Sequence, residues 1–248
     1  MCRVGFRAAS AVRGVRDSVG LLVHGRTTRK VVASSIAGSK GGCKMSPEIQ
    51  AENGNPRRLA CLDEPSSSPR RCEWRFAVIS RFMYEGGIGA EIGVFKGAFV
   101  SYLLSTRPSK LYLVDPWYRL SATWPWAQGD KSTVRALVRI LDEYRPEIEA
   151  KLIEPRVEFS DEFLSSMPDG YFDWLYIDSS HQYEQTLREL ELGIRKIKPG
   201  GFIMGDDYNS DVNARHHGVY KAVKEFEAAG RLRLVVAGEN MQFVATLP

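Results

Sequence analysis

The chain of 248 residues carries 34 Lys and Arg against 30 Asp and Glu, and 44% of its residues are apolar, which suits one α/β domain with an extension. No stretch contains the 18 or more consecutive apolar residues of a spanning helix, which excludes an integral membrane protein. The charge is uneven, since residues 1–72 hold 13 basic and 5 acidic side chains, whereas residues 73–248 hold 21 and 25. The acidic balance of the second part gives no support to a nucleic-acid partner.

Residues 1–72 have the composition of a disordered basic extension and linker. Asp17 is the single acid among residues 1–44, where Arg, Ser and Ala are frequent. That pattern is typical of an organellar transit peptide, and the alternative is that the true start of the chain is Met45. Residues 45–72 are rich in Pro and Ser, as linkers are. We therefore expect one folded domain over residues 73–248, in the cytoplasm or, if residues 1–44 are a transit peptide, in an organelle.

All four cysteines lie in this first part, and their spacing matches no zinc or redox motif. The spacing indicates a reduced compartment without a disulfide framework, and it disfavours a metal clip. The four are Cys2, Cys43, Cys61 and Cys72.

From residue 73 onward, short apolar runs alternate with helical patterns, after a leading amphipathic helix that contains Trp74 and Phe82. The predicted strands are residues 88–92, 111–114, 157–159, 174–177, 202–204, 232–236 and 241–245. The predicted helices between them are residues 98–105, 132–149, 182–198 and 219–229. This order predicts an α/β fold with a Rossmann-like, seven-stranded, mostly parallel sheet, a C-terminal antiparallel hairpin and helices on both faces.

The ends of the first two strands carry the first candidate binding residues. Glu91, Gly93 and Gly97 follow an E-x-G-x-x-x-G spacing, which is not the G-x-G-x-x-G of dinucleotide sites, so NAD binding is disfavoured. A carboxylate at this strand end suits a cationic ligand without phosphates. Asp115, after the second strand, can accept both hydroxyls of a ribose, although such residues are often helix caps.

Four motifs in chain order resemble one known family. They are Glu91-x-Gly93-x-x-x-Gly97; Val114-Asp115-Pro116; Tyr176-Ile177-Asp178-x-x-His181-x-Tyr183-Glu184; and Lys198-Pro199-Gly200-Gly201 followed by Asp206-Asp207-Tyr208. Residues 73–248 thereby resemble class I S-adenosylmethionine (SAM) dependent methyltransferases, most of all the methyltransferase-24-like group, which is related to metal-dependent O-methyltransferases.

The resemblance implies where SAM would bind. Glu91, Gly93 and Gly97 would line its methionine and ribose parts. Asp115 would take the ribose hydroxyls, and Ser160 and Asp161 would lie near the adenine.

Three carboxylates are expected to meet beyond two neighbouring strands. Asp178 ends the fourth strand, and Asp206 and Asp207 end the fifth. Three uncompensated anions repel one another, and a hard divalent cation, most of all Mg²⁺, would relieve this repulsion. The metal-dependent relatives take their ligands from the same strand ends. The alternative is that Asp178 contacts substrate while Asp207 caps or bonds locally.

The general base is left open between several histidines. His181 lies three residues after Asp178 and could accept the proton of a hydroxyl made acidic by the metal; alternatively, it is a helix-entry histidine bonded to backbone. Related sugar O-methyltransferases carry an acidic base at the position of Ser180, which cannot act as one. His216 and His217 are reserve candidates.

Residues 117–130 contain Trp117, Trp124 and Trp126, which predict either a lid over a substrate ring or packing against a neighbouring helix.

These observations predict a SAM-dependent O-methyltransferase that acts on a hydroxyl of a small molecule (a sugar, phenol or natural product) with SAM and a divalent metal. Asp178 and His181 are the expected catalytic residues. A small-molecule acceptor is expected instead of nucleic acid or membrane, and a homodimer is compatible with the sequence. The alternatives are a non-catalytic SAM-fold binding module and an N-methyltransferase; an NAD-dependent reductase is disfavoured.

Overall fold

A computed structural model of the chain describes residues 69–120 and 132–248. Within them, seven strands form one sheet in the order β3-β2-β1-β4-β5-β7-β6. The strands are β1 (Ile88–Ile92), β2 (Lys110–Val114), β3 (Ile153–Arg156), β4 (Phe172–Ile177), β5 (Ile197–Gly205), β6 (Arg233–Glu239) and β7 (Gln242–Thr246). The first five pair in parallel, and β7 runs antiparallel to both β5 and β6. The predicted fold class is confirmed.

Seven α-helices surround this sheet in the described residues. They are α1 (Pro69–Ile79), α2 (Val100–Ser105), α3 (Ser132–Glu143), α4 (Arg145–Glu149), α5 (Ser160–Ser166), α6 (Tyr183–Lys196) and α7 (His217–Ala228). Two short 3₁₀ helices, Ser80–Phe82 and Trp117–Arg119, follow α1 and β2. None of the described helices is long and apolar enough to cross a membrane.

The third strand is where the sequence prediction is wrong. The structure has β3 at Ile153–Arg156 instead of residues 157–159, and a helix that was not predicted, α5, begins at Ser160. Pro155 lies inside β3, and a proline is unfavourable in a strand because it has no backbone N–H to donate. It is tolerated because β3 is an edge of the sheet, where one side of the strand has no ladder partner. The predicted helix over residues 132–149 is divided at Tyr144 into α3 and α4.

The two faces of the sheet support separate hydrophobic cores. Along β4, Phe172 and Leu175 belong to one core and Trp174 and Tyr176 to the other, as alternation along a strand requires. Gly89 in β1 makes room for the indole of Trp174, because a Cβ there would lie 2.0 Å from the ring. Both faces are therefore filled, and the open space lies at the ends of the strands.

Helix α1 begins before the predicted domain boundary at residue 72. Pro69 is its first residue, where proline is favoured because no backbone N–H is required. The helix is fixed against the β6–β7 turn, since Asn240 Nδ2 donates to the carbonyl of Trp74 at 3.0 Å. The last residues assigned to the linker thus belong to a helix that lies against the sheet.

Candidate active site

A cleft of about 930 Å³ lies beyond the carboxyl ends of the parallel strands. Residues that follow β1, β2, β4 and β5 line it, as expected for an open α/β sheet. Helix α1 and the starts of α5 and α6 complete its walls. Most of the sequence-predicted residues at this edge of the sheet therefore line one space, whereas Gly97, Asp206 and His217 are not among its described lining residues.

Gly93 turns the chain sharply at the exit of β1. Its φ is +92°, and a Cβ there would lie 2.2 Å from the carbonyl oxygen of Asp178. Only glycine allows both this backbone conformation and the close approach of the end of β4. Gly97 also has a positive φ, but it packs against Ile140 of α3 and is not among the described residues that line the cleft.

Asp115 holds the loop after β1 in place. Its Oδ2 accepts the N–H of Phe95 at 2.8 Å and its Oδ1 accepts the N–H of Trp117 at 2.7 Å. Burial raises the pKa of Asp115, although these backbone bonds oppose the shift. The bond to Trp117 is a local cap of the 3₁₀ helix that starts there, despite Pro116 between them. Asp115 thus caps the 3₁₀ helix and also lines the cleft.

Glu91 places an unpaired polar atom against the cleft. The side chain is only 2% exposed, and its Oε2 has no hydrogen-bond partner. Burial, together with the negative charge of Asp178, raises the pKa of Glu91 well above its usual range. A buried carboxylate oxygen without a donor is costly, so this atom is suited to a cationic or N–H donating ligand.

A polar network that the sequence did not reveal lies at the other end of the cleft. Glu189, on α6, is fully buried and accepts a hydrogen bond from Ser179 Oγ at 2.8 Å. Gln185 Nε2 donates to Ser160 Oγ at 2.8 Å. Burial raises the pKa of Glu189. Ser160 and Asp161, the first residues of α5, line the cleft here.

The three carboxylates predicted to converge do so. Asp178, Asp206 and Asp207 each offer an oxygen, and these atoms lie within 4.8 Å of one another. The side chain of Asp206 is fully buried, and Gln242 Nε2 donates to its Oδ1. Burial raises the pKa of Asp178 to about 8, and the neighbouring carboxylates add to the effect while Arg75 opposes it.

Two arginines of α1 already neutralise this cluster. Arg75 contacts Asp178 Oδ2 at 2.7 Å through Nη1 and contacts Asp206 through Nη2. Arg71 Nη2 lies 2.7 Å from Asp206 Oδ2 and 3.0 Å from Asp207 Oδ1. Although burial opposes it, these negative charges raise the pKa of Arg75 above its usual range. The expectation of three uncompensated anions is therefore wrong.

Two imidazoles stack beside the cluster. The rings of His181 and His216 lie 4.4 Å apart at an interplanar angle of 20°. His216 Nδ1 lies 2.7 Å from Asp207 Oδ2, and His181 Nδ1 lies 3.5 Å from the same oxygen. Burial lowers the pKa of His181 to about 4, so its ring is neutral near pH 7. Both histidines line the cleft.

The remaining candidates lie elsewhere. His217 bonds to the carbonyl of Asn209 through Nδ1 at 3.2 Å and is not among the described residues that line the cleft. Trp117 is fully buried and does not form a lid, whereas Trp124 and Trp126 lie outside the described residues. The sequence analysis missed Arg71 and Arg75, because arginines on an amphipathic helix are usually solvent-facing. Their i, i+4 spacing, which places both on one face of α1, was the available signal.

Comparisons with known proteins show what part of the chain is similar to. Residues 90–208 match the model of a family described as a methyltransferase domain. No curated protein matches the chain.

Several solved structures are similar to the chain at low sequence identity. A candidate O-methyltransferase from Klebsiella pneumoniae is 16% identical, with 73% of this chain and 80% of that chain covered and a TM-score of 0.51. A SAM-dependent methyltransferase from Aquifex aeolicus is 18% identical over 72% and 92% of the two chains, with a TM-score of 0.48. Fibrillarin from Aeropyrum pernix with bound SAM is 16% identical over 71% and 73%, with a TM-score of 0.48.

Proposed function

Because the chain is a class I SAM-dependent methyltransferase whose residues 90–208 match the model of the methyltransferase-domain family, we propose that it transfers a methyl group from SAM to a hydroxyl of a small molecule. The observation that carries this proposal is the Asp207–His216 pair in the cleft, with a distance of 2.7 Å between Oδ2 and Nδ1. Such a pair can accept the proton of a hydroxyl.

Several polar atoms of the cleft support the binding of SAM there. Glu91 Oε2, the buried oxygen without a partner, would accept an N–H of the amino group. Asp115 keeps lone pairs for ribose hydroxyls after its two backbone bonds. Ser160 and Asp161 would lie towards the adenine, beside the buried Glu189. When bound, SAM supplies a methyl group on a positively charged sulfur.

Proton transfer is the chemical task that falls to the chain's own residues. With the Nδ1–H of His216 donated to Asp207, the Nε2 of His216 carries the lone pair that accepts a proton. The carboxylate fixes this tautomer and stabilises the charged ring that results, as in other Asp–His pairs. His181 stacks on the same ring and, being neutral, is the second acceptor; it was the first choice from the sequence.

Methyl transfer depends chiefly on alignment, because a nucleophile and a bound methyl group held in line react as one molecule. The walls of the cleft supply this alignment. Asp178, with its backbone N–H bonded to the carbonyl of Ile92 at 2.8 Å, joins β4 to β1 at the point where both ligands would meet. Its role is to position the acceptor.

The divalent metal predicted from the sequence does not fit this arrangement. The oxygen donors are of the right type, but the guanidinium groups of Arg71 and Arg75 are bonded to all three carboxylates. We therefore derive no step of the reaction through a metal ion.

The alternatives are less well supported. An amine acceptor with a free lone pair needs no proton acceptor of the Asp207–His216 kind, which favours a hydroxyl over an amine. A non-catalytic binding module would have no use for that pair either. The loop after β1 faces the cleft with Phe95 and Lys96, where a dinucleotide site has slim glycines, and this continues to disfavour a reductase.

Calorimetry and a transfer assay test the proposal together. Wild type should bind SAM, and Glu91→Gln should bind it at least about tenfold more weakly, whereas Glu85→Gln, at an exposed site, should not change binding. Radiolabelled methyl groups should then appear on hydroxylated acceptors and not on matched amines. Failure of the wild type to bind SAM, or labelling of the amines alone, would contradict the proposal.

A further inference from the structure

The carboxylate cluster has few oxygen atoms left for a metal ion. Asp206 accepts from Gln242 at Oδ1 and from both arginines at Oδ2. Asp207 contacts Arg71 at Oδ1 and His216 at Oδ2. Asp178 contacts Arg75 at Oδ2 and has His181 Nε2 3.7 Å from Oδ1. Five of the six carboxylate oxygens are therefore within 3.0 Å of a donor nitrogen.

The two guanidinium groups are held in place by the fold. Arg75 is only 7% exposed, and α1 is tied to the β6–β7 turn by the bond between Asn240 and Trp74. A divalent cation among the three carboxylates would lie within a few ångströms of two positive charges in a buried site, where like charges repel strongly. The arginines and a metal ion thus compete for the same oxygens.

The arginines lie outside the part of the chain that the family match covers. That match begins at residue 90, whereas Arg71 and Arg75 belong to α1 (Pro69–Ile79). The matched residues contribute the three converging carboxylates but neither arginine. Whether these carboxylates contact guanidinium groups or a metal ion therefore depends on α1, which precedes the matched residues.

We propose that Arg71 and Arg75 are the resident cations of the Asp178, Asp206 and Asp207 cluster, and that they take the place of a divalent metal. They act as positioning residues: they fix the orientation of the carboxylates and, through Asp207, that of His216. The chain then holds no Mg²⁺ at this cluster. Because this statement concerns the cluster alone, it stands or falls independently of the acceptor.

Titration calorimetry with Mg²⁺ tests the inference without any turnover. Wild type should show no stoichiometric Mg²⁺ binding. The double variant Arg71→Met with Arg75→Met should gain one Mg²⁺ site, with an affinity at least about tenfold higher than that of any weak binding by wild type. Arg70→Met, on the same helix but stacked on Trp74 at 4.6 Å, should behave as wild type does. The charge-preserving pair Arg71→Lys with Arg75→Lys should also remain without Mg²⁺.

One outcome in the wild type overturns the proposal whatever the variants do. If the wild-type chain binds one Mg²⁺ and this binding is lost in Asp206→Asn, the arginines are not the resident cations. A folded double methionine variant, verified by circular dichroism, that gains no Mg²⁺ affinity would overturn it as well. If that variant does not fold, the wild-type titration still decides the question.

Failure of this proposal and failure of the proposed function are distinguishable. SAM binding and transfer to hydroxyls can both be observed in a chain that binds Mg²⁺, and a chain without Mg²⁺ can still fail to methylate a hydroxyl. One experiment titrates SAM and follows methyl transfer, whereas the other titrates Mg²⁺.

Discussion

Trp117 donates its indole N–H to the backbone carbonyl of Phe95 at 2.9 Å. Phe95 has a φ of +47°, a left-handed conformation that is unfavourable for an aromatic residue. Asp115 holds the N–H of the same residue. Both backbone groups of Phe95, in the loop after β1, are thus held by side chains that follow β2: the N–H by Asp115 and the carbonyl by Trp117.

Removing the indole bond should loosen this loop, and the smaller ring of Phe also leaves a small cavity at this fully buried position. We expect Trp117→Phe to weaken SAM binding by about fivefold, the equivalent of one hydrogen bond of about 1 kcal/mol. Calorimetry with SAM measures the effect, and Tyr118→Phe, at an exposed neighbour, is the control. Equal affinities in Trp117→Phe and wild type would show that this hydrogen bond has no bearing on the cofactor.

Substitution of Gly93 should destabilise the protein more than substitution of Gly170, another glycine with a positive φ. Gly93→Ala places a Cβ 2.2 Å from the backbone of Asp178, whereas a Cβ at Gly170 (φ +63°) meets no atom within 4 Å. Gly170→Ala should lower the free energy of unfolding by about 1 kcal/mol through backbone strain. Gly93→Ala should lower it by more and should also abolish SAM binding. Urea unfolding of both variants makes the comparison, and similar losses would contradict the close approach.

His216 and His217 are neighbours with different surroundings, which makes them a matched pair. His216→Gln should lower kcat by about 100-fold, the scale of a lost proton acceptor, with little change in SAM affinity. His217→Gln, away from the cleft, should retain activity. If His181→Asn loses activity and His216→Gln does not, the proton acceptor is His181.

The depressed pKa of His181 predicts how stability depends on pH. Folding lowers this pKa from 6.5 to about 4, so between these values the unfolded chain binds more protons than the folded one. Stability contributed by neutral His181 is present above pH 6.5 and is lost as the pH falls towards about 4, by about 3 kcal/mol at most.

His181→Asn removes this contribution, and asparagine tolerates the residue's φ of +59°. The difference in unfolding free energy between wild type and His181→Asn should therefore change between pH 7.5 and pH 5, to the disadvantage of wild type at pH 5. A difference that is constant with pH would mean that His181 is not buried in the neutral form.

The sequence predicted the fold well because buried parallel strands leave a strong signal. The continuous apolar runs of β1, β2 and β4 were located to within two residues of their ends, and with them Glu91, Asp115 and Asp178. Strand β3 was misplaced because Ile153 is its only fully buried residue, so no apolar run marks it. Helix α5 is only seven residues long, too short for a clear helical period.

The site was predicted only in part, because charge compensation is a tertiary property. Asp178 and Asp206 follow strands, so their convergence can be read from the order of the elements. Arg75 reaches them from a helix more than 100 residues earlier, and nothing in the local pattern distinguishes it from a solvated arginine. Glu189, hidden on a helix rich in charges, was missed for the same reason.

The contact of Arg71 with Asp206 and Asp207 has a practical corollary for truncation. A shortened polypeptide beginning at Glu73, where aromatic residues become frequent, would retain the whole segment matched to the family and lose this guanidinium. Asp178 and Asp206 would then keep their contacts with Arg75, whereas Asp207 would lose its arginine partner, and we expect Mg²⁺ to bind the cluster more tightly. A polypeptide shortened at Glu73 is therefore expected to differ in Mg²⁺ affinity from one that retains Arg71.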